Sequence, residues 1–319
     1  MEKFLSCDWG TSSFRLRLIN ADDLRILEET THHFGIADTY HRWTQQAKAS
    51  LSRSAFYEGV LREWVDGLGR QSGTTLDDIP IVLSGMASSS IGMVELPYKQ
   101  LPFDLDGKDI LAEVLTDGGS RNPIILVSGV RTEDDVMRGE ETKVLGCSAV
   151  LEHHGEEQLL ILPGTHPKHI TVMGHQAVDF STYMTGEFFN LLSTNSVLSA
   201  SVESGAAFGE PEAQRWFREG VETGSTSGIL QAAFKVRTNQ LLKHIPKAHN
   251  FYYLSGLLVG AELRNVNAAQ RIYLITGKVH RDLYKKALHI LDIPIAGELD
   301  ADLALIRGQQ VILSRLLSR

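Results

Sequence analysis

The chain has 319 residues, of which 43% are hydrophobic and 22% charged, with a formal net charge of −8 at pH 7. That length exceeds what one hydrophobic core usually serves, so two domains are expected, and the composition leaves little room for long disorder. The acidic balance excludes a diffuse nucleic-acid surface, no apolar run is long enough to span a bilayer, and two cysteines, Cys7 and Cys147, give no disulfide framework and fit a reducing, cytoplasmic compartment.

Residues 4–7 form a short apolar strand that polar Asp8 interrupts, so no secretory leader is expected. Asp8-Trp9-Gly10-Thr11-Ser12-Ser13 reads as a turn. Phe14, Leu16 and Leu18 then alternate with Arg15, Arg17 and Asn20, as in a strand with one buried face. Ala21-Asp22-Asp23 is a second turn, and residues 24–28 a third strand. Trp43, Ala47, Leu51, Phe56, Val60, Trp64 and Leu68 recur at roughly helical spacing. Glu133-Asp134-Asp135 reads as an acidic helix start, complementing the helix dipole ahead of Val136, Val144 and Leu145. His153-His154-Gly155-Glu156-Glu157 is a polar turn at the junction of two halves.

The plan of the first thirty residues then recurs. Residues 159–162 are apolar, Pro163-Gly164-Thr165-His166 is a turn, and strands at 170–172 and 177–180 flank the turn Met173-Gly174-His175-Gln176. A strand, a Gly-Thr turn, a strand, a turn and a strand at the head of each half predict a duplicated fold. Thr185-Gly186-Glu187 reads as a helix entry capped by threonine. Helices are expected over 229–242, 279–291 and 303–317. Four apolar strands are expected to end in a hydroxyl residue and glycine: 81–83 before Ser84-Gly85, 124–127 before Ser128-Gly129, 252–254 before Ser255-Gly256, and 272–275 before Thr276-Gly277. In open α/β sheets ligands sit beyond the carboxyl ends of strands, where glycine lets backbone approach closely.

The chemistry expected of these residues is phosphate chemistry. A carboxylate at a strand end, Asp8, suits Mg²⁺, which uses few carboxylates and keeps its water. Gly10 permits a tight turn, and the hydroxyls and N–H groups of Thr11 and Ser12 suit phosphate oxygens. Gly164 and Thr165 form a second clamp of the same kind, with Lys168 either adding charge or simply solvated. His166 and His169 lack the further ligands that a zinc site needs. In Val136-Met137-Arg138-Gly139-Glu140-Glu141-Thr142, one glutamate suits acceptance of a hydroxyl proton. Arg138 suits either a substrate carboxylate or a structural bridge to Glu141, with Arg131 in reserve.

Asp8-Trp9-Gly10-Thr11-Ser12 resembles the first phosphate motif of the sugar kinase, actin and Hsp70 ATPase superfamily. Further blocks resemble the 2-dehydro-3-deoxygalactonokinase family. These are Gly85-Met86-Ala87 with Gly92, Glu95 and Pro97-Tyr98; residues 135–142; Leu162-Pro163-Gly164-Thr165-His166 with Lys168; residues 180–187; and Leu254-Ser255-Gly256-Leu257-Leu258 with Gly260-Ala261-Glu262-Leu263. They stand in order over most of the chain.

The resemblance implies an α/β chain of two duplicated ribonuclease H-like lobes in the actin/hexokinase-like ATPase fold, with an interdomain cleft. An N-terminal lobe of residues 1–147 carries the sugar acid and first phosphate loop. Residues 148–300 form the C-terminal lobe with the second loop and the adenosine site, and a helix of about 301–319 packs at the interface. It implies an ATP-dependent, Mg²⁺-requiring kinase of 2-dehydro-3-deoxy-D-galactonate, acting on the 6-hydroxyl. Implied roles are Asp8 for Mg²⁺ through water; Gly10, Thr11, Ser12, Gly164, Thr165 and Gly277 for ATP; Gly85, Met86, Ala87 and Arg138 for the sugar acid; and Glu140 as catalytic base, where the superfamily usually carries aspartate. Glu141 and Asp179 stay open for that role, as does a homodimer. A kinase for another sugar or keto-deoxy acid, or a non-catalytic nucleotide switch, is the alternative; no nucleic-acid or membrane partner is expected.

Overall fold

The computed structural model describes residues 2–46, 51–115, 121–152 and 155–317. The chain divides into two compact units, Met1–Gly155 with Val172–Asp179 and Ala301–Arg319, and Glu156–Thr171 with Phe180–Asp300. The sequence-predicted turn at 153–157 falls at this division, and its His153 and His154 lie outside the described residues.

In the first unit, β1 (Lys3–Trp9), β2 (Phe14–Asn20) and β3 (Ile26–His32) form an antiparallel meander. Then come α1 (Ile36–Gln46), α2 (Arg53–Ser72), β4 (Ile81–Gly85), the short strands β5 (Lys99–Gln100) and β6 (Phe103–Asp104), β7 (Ala112–Leu115), β8 (Ile124–Val127), β9 (Val130–Arg131), β10 (Val136–Met137) and α3 (Glu140–Cys147). The sheet order is β3-β2-β1-β4-β8-β7, with β1, β4 and β8 mutually parallel. One face buries Trp9, Phe14, Tyr57 and Leu61 together, and the Trp64 ring lies 3.8 Å from that of Phe14.

Four expectations change here. Leu24 is not in a strand but at positive φ in the turn before β3. The helical spacing from Trp43 belongs to two helices, with Ala47 outside the described residues. Arg17 is buried rather than solvent-facing, held by Glu29 and by Asp302, a residue of the final helix. The acidic run at 133–135 starts no helix. Thr132 Oγ1 accepts from the N–H groups of Asp134 and Asp135, closing a turn into β10.

The second unit contains β11 (Glu157–Leu162), β12 (Lys168–Met173), β13 (Gln176–Thr182), α4 (Thr185–Thr194), α5 (Pro211–Thr226), α6 (Ile229–Lys243), α7 (Lys247–Leu263), β14 (Arg271–Thr276), α8 (Lys278–Ile290) and β15 (Ile295–Asp300). The tip of the β12–β13 hairpin groups with the first unit. The strands run β13-β12-β11-β14-β15, with β11, β14 and β15 parallel. Three consecutive strands side by side, a fourth parallel to the first, and a fifth beyond it make the same order as β3-β2-β1-β4-β8. The duplication expected from the two meanders therefore extends to both sheets.

Residues 252–254 are not a strand. They lie in α7, where Gly256 and Gly260 face α5 so closely that a Cβ at Gly256 would lie 2.2 Å from the Phe217 carbonyl oxygen. The last helix, α9 (Ala301–Leu317), belongs to the first unit and packs on α3. Among the described residues no helix is long and apolar enough to cross a membrane.

Candidate functional site

In the first unit the polar residues gather where β1 and β4 end and α3 begins. Asp8 pairs with Ser84 across the parallel β1–β4 ladder. Gly85 follows at φ +97°, and a Cβ there would lie 2.8 Å from the Trp9 carbonyl and 3.4 Å from Asp8 Oδ1. Gly139, at φ +108°, abuts Gly85, because a Cβ on it would lie 3.2 Å from the Gly85 Cα. Both positions need glycine for conformation and for space. Glu140 is the first residue of α3 and half-buried. Asp8 and the start of α3 therefore flank one glycine.

The turn after β1 is braced from behind. Gly10 N–H donates to the Ser13 carbonyl, closing the turn, while the carbonyls of Gly10 and Thr11 accept from the N–H groups of Ile36 and Ala37 at the start of α1. Gly35 makes this approach feasible, since a Cβ there would fall 2.1 Å from the Thr11 carbonyl oxygen. The Thr11 and Ser12 side chains stay exposed. The second unit repeats the device. Glu187 N–H at the start of α4 donates to the Thr165 carbonyl, and a Cβ on Gly186 would lie 2.5 Å from the Gly164 carbonyl oxygen. Thr165 is exposed. Each Gly-Thr turn is thus pinned by its carbonyl to a helix start through a glycine, which leaves the threonine side chain facing outward.

Beyond the second turn lies a cavity of about 460 Å³ lined by Gly164, Thr165 and Gly186 at one end and by Phe189, Phe208, Phe251, Tyr252 and the first turns of α8 elsewhere. Flat aromatic walls beside a polar turn suit a base and its phosphates. Gly277 caps α8 without lining the cavity, whereas Val279, His280, Asp282 and Leu283 line it. Burial lowers the His280 imidazole, against the opposing pull of Glu262.

Several sequence-predicted residues sit otherwise than expected. Lys168 is buried, not solvated, and its ammonium donates to the His166 carbonyl. His166 meets Glu187 at the surface while His169 meets Glu262 in the interior, so each imidazole has its own carboxylate. Among the described residues no cluster of three His, Cys, Asp or Glu side chains could hold a metal. Thr185 is the first residue of α4 rather than its cap, which is Met184. Arg138 forms no bridge to Glu141. Its Nη1 donates to Ser88 O and Oγ, its guanidinium stacks 4.2 Å from the Tyr98 ring centre, and its Nε meets no partner among the described residues. Arg138 therefore braces the turn Gly85-Met86-Ala87-Ser88, which Gly92 also packs beneath. Arg131 and Asp179 are exposed on β9 and β13.

Glu141 is fully buried beside the half-buried Glu140. Its Oε2 accepts from Gly139 N–H at 2.6 Å and its Oε1 from Thr142 Oγ1 at 3.0 Å. Thr142 meets Ser84 Oγ, to which Gln309 of α9 also donates. Burial and then the charge of Glu140 push the Glu141 carboxyl up to about 7, against the hydrogen bonds it accepts. From its ordinary 4.5 to about 7, the folded chain therefore holds a proton that the unfolded chain has released. Stability should fall as pH rises through that window and level off above it. Urea unfolding of the Glu141→Gln variant should show this slope flattened; an unchanged slope would assign it to other groups.

The profile of the 2-keto-3-deoxy-galactonokinase family matches residues 8–312. The chain is 29% identical over 296 residues to the 2-dehydro-3-deoxygalactonokinase of Escherichia coli, covering 91% of this chain and 90% of that protein. A crystal structure from Sinorhizobium meliloti, bearing a provisional 2-dehydro-3-deoxygalactonokinase name, superposes with a TM-score of 0.79 at 28% identity over 98% of this chain and 96% of that one. Component A of the (R)-2-hydroxyglutaryl-CoA dehydratase of Acidaminococcus fermentans shares the fold alone, with a TM-score of 0.51 at 10% identity over the whole of both chains. The fold is the actin/hexokinase-like ATPase fold.

Proposed function

The chain belongs to the 2-keto-3-deoxy-galactonokinase family, and from that premise we infer that it moves the γ-phosphoryl group of ATP to the 6-hydroxyl of 2-dehydro-3-deoxy-D-galactonate, releasing ADP and the 6-phosphate. The observation that carries this reading at the level of residues is the repeated Gly-Thr turn, each pinned at its carbonyl to a helix start. A protein that moves phosphate needs rigid, outward-facing donors more than covalent chemistry.

Each unit supplies its share. In the first, Gly10, Thr11 and Ser12 receive phosphate oxygens. Asp8 offers a carboxylate near the end of β1, which suits a divalent cation held through water. Mg²⁺, when bound, neutralises phosphate charge. Glu140 accepts the proton of the 6-hydroxyl as its oxygen bonds to phosphorus and the bond from phosphorus to the bridging oxygen of ADP breaks. The Gly85-Met86-Ala87 turn forms the wall for the sugar acid, and Arg138 behind it places a positive charge next to the substrate carboxylate. In the second unit Gly164 and Thr165 hold phosphates, and the aromatic cavity beside them takes the adenosine, with Gly277 setting the entry of α8.

A coupled assay of ADP release should show turnover with 2-dehydro-3-deoxy-D-galactonate in excess of that with the gluconate-series keto-deoxy acid. Tight ATP binding without transfer to either acid would replace the reading by that of a nucleotide switch. Asp8→Asn should lower Mg²⁺-dependent turnover and raise the Mg²⁺ concentration needed for half-maximal rate. Indifference to this change removes Asp8 from the cation's surroundings.

A further inference from the structure

One side chain with no part in the chemistry above joins the walls of the cavity in the second unit. Glu262, near the end of α7, is 3% exposed. Its Oε2 accepts from Thr185 Oγ1 and, at 2.8 Å, from the Tyr284 hydroxyl; its Oε1 lies 3.0 Å from His169 Nε2. Thr185 opens α4 and precedes Gly186, the residue on which the Gly164-Thr165 turn rests. Tyr284 stands on α8, whose first turns line the cavity, and His169 on β12, into which the same turn runs. His169 is held in turn against the Tyr183 ring, with centres 4.5 Å apart.

We propose that Glu262 is a positioning residue of the nucleotide site: one buried carboxylate sets the distance between the phosphate turn and the adenosine wall by bonding to α4, α8 and β12 at once. The proposal rests on the assignment of this cavity to the nucleotide. A carboxylate has about four acceptor sites on two oxygens, which is what three converging donors need. No other type of side chain of this length accepts on both oxygens. Glu262 touches neither phosphate nor base in this reading, so its loss should be felt in nucleotide affinity and not in the handling of the sugar acid. The chemistry of the arrangement also predicts a rescue. In Glu262→Gln the amide oxygen still accepts from Thr185 and Tyr284, and the amide nitrogen donates to a neutral His169 Nε2. Alanine removes the shared acceptor from three polar groups, of which His169 and Tyr284 are buried.

The test uses the full chain and titrates ADP by calorimetry, with KM for ATP and for the keto-deoxy acid measured in parallel. Glu262→Ala should weaken ADP and raise the KM for ATP by about tenfold to a hundredfold, with the KM for the acid within about threefold of the parent value. Glu262→Gln should recover nucleotide affinity to within about threefold. Tyr284→Phe, which removes one donor and no volume of consequence, gives an intermediate loss and serves if the alanine variant does not fold. Unchanged ADP affinity in a folded Glu262→Ala or Tyr284→Phe protein overturns the proposal, as does an equal loss for ATP and acid. Parent protein that binds no adenine nucleotide at all overturns the nucleotide assignment first, and the proposal with it.

Discussion

Replacing Glu140 with glutamine is expected to lower turnover by about 10² to 10⁴ with little change in stability. The residue opens α3 directly after Gly139, and the glycines at 139 and 85 leave no Cβ between it and the end of β1 that carries Asp8. Glutamine keeps the shape and removes the capacity to take a proton. A general base acts only in the transition state, so kcat and kcat/KM should fall together while KM for the acid stays near its parent value. The neighbouring carboxylate supplies the control. Glu141 is spent on Gly139 N–H and Thr142 and has no exposed surface, so it holds the turn that sets Glu140. Near-parent turnover in Glu140→Gln, with a collapse in Glu141→Gln, would exchange their roles. The substitution should also lower the Glu141 carboxyl from about 7, since the Glu140 charge is the second cause of its elevation.

Substituting alanine for Gly308 is expected to destabilise the first unit by about 3 kcal/mol, the upper end of what overpacking usually costs. Helices α3 and α9 cross backbone to backbone. A Cβ at Gly308 would lie 1.7 Å from the Thr142 carbonyl oxygen, and one at Gly146 would lie 1.8 Å from that of Ala304. Neither obstacle is a side chain that can swing aside, so the helices must part. Thr142 belongs to the chain of polar contacts from Glu141 through Ser84 to Gln309, and Gln309 Nε2 also donates to the carbonyls of Cys7 and Val82. Parting the helices therefore disturbs the seat of Glu140, and turnover should fall with stability. Gly59→Ala, in α2 with nothing within 4 Å of the new methyl, is the matched control. It should gain about 0.5–1 kcal/mol from helix propensity. Urea midpoints of the two variants on opposite sides of the parent would support the crossing; coincident midpoints would remove it.

Much of this protein was legible without coordinates. The alternation of Phe14, Leu16 and Leu18, the apolar runs before Ser84, Ser128 and Thr276, and the recurrence of a Gly-Thr turn at residue 164 all reflect local preferences, which the structure keeps as β2, β4, β8, β14 and the β11–β12 turn. Readings failed where the surroundings, not the neighbours in sequence, decide. Residues 252–254 look like a strand because α7 is apolar on most of its surface; buried on several sides, it has no helical stripe to display. Arg17 and Lys168 look solvated because charge is ordinarily exposed, yet Glu29 and Asp302 for one, and the His166 carbonyl for the other, are brought to them by chain folding.

The sequence by itself determined the duplicated order of strands and the two turns that bear Thr11 and Thr165, because turn chemistry and hydrophobic alternation act over a few residues. Tertiary structure alone decided what stands behind those turns. Gly35 and Gly186 are separated from the threonines they support by a full meander, and Glu262 collects donors from residues as far apart in the chain as His169 and Tyr284. A glycine required for close approach, or a carboxylate required to satisfy three converging donors, is defined by what lies across the fold from it, and one sequence carries no record of that distance.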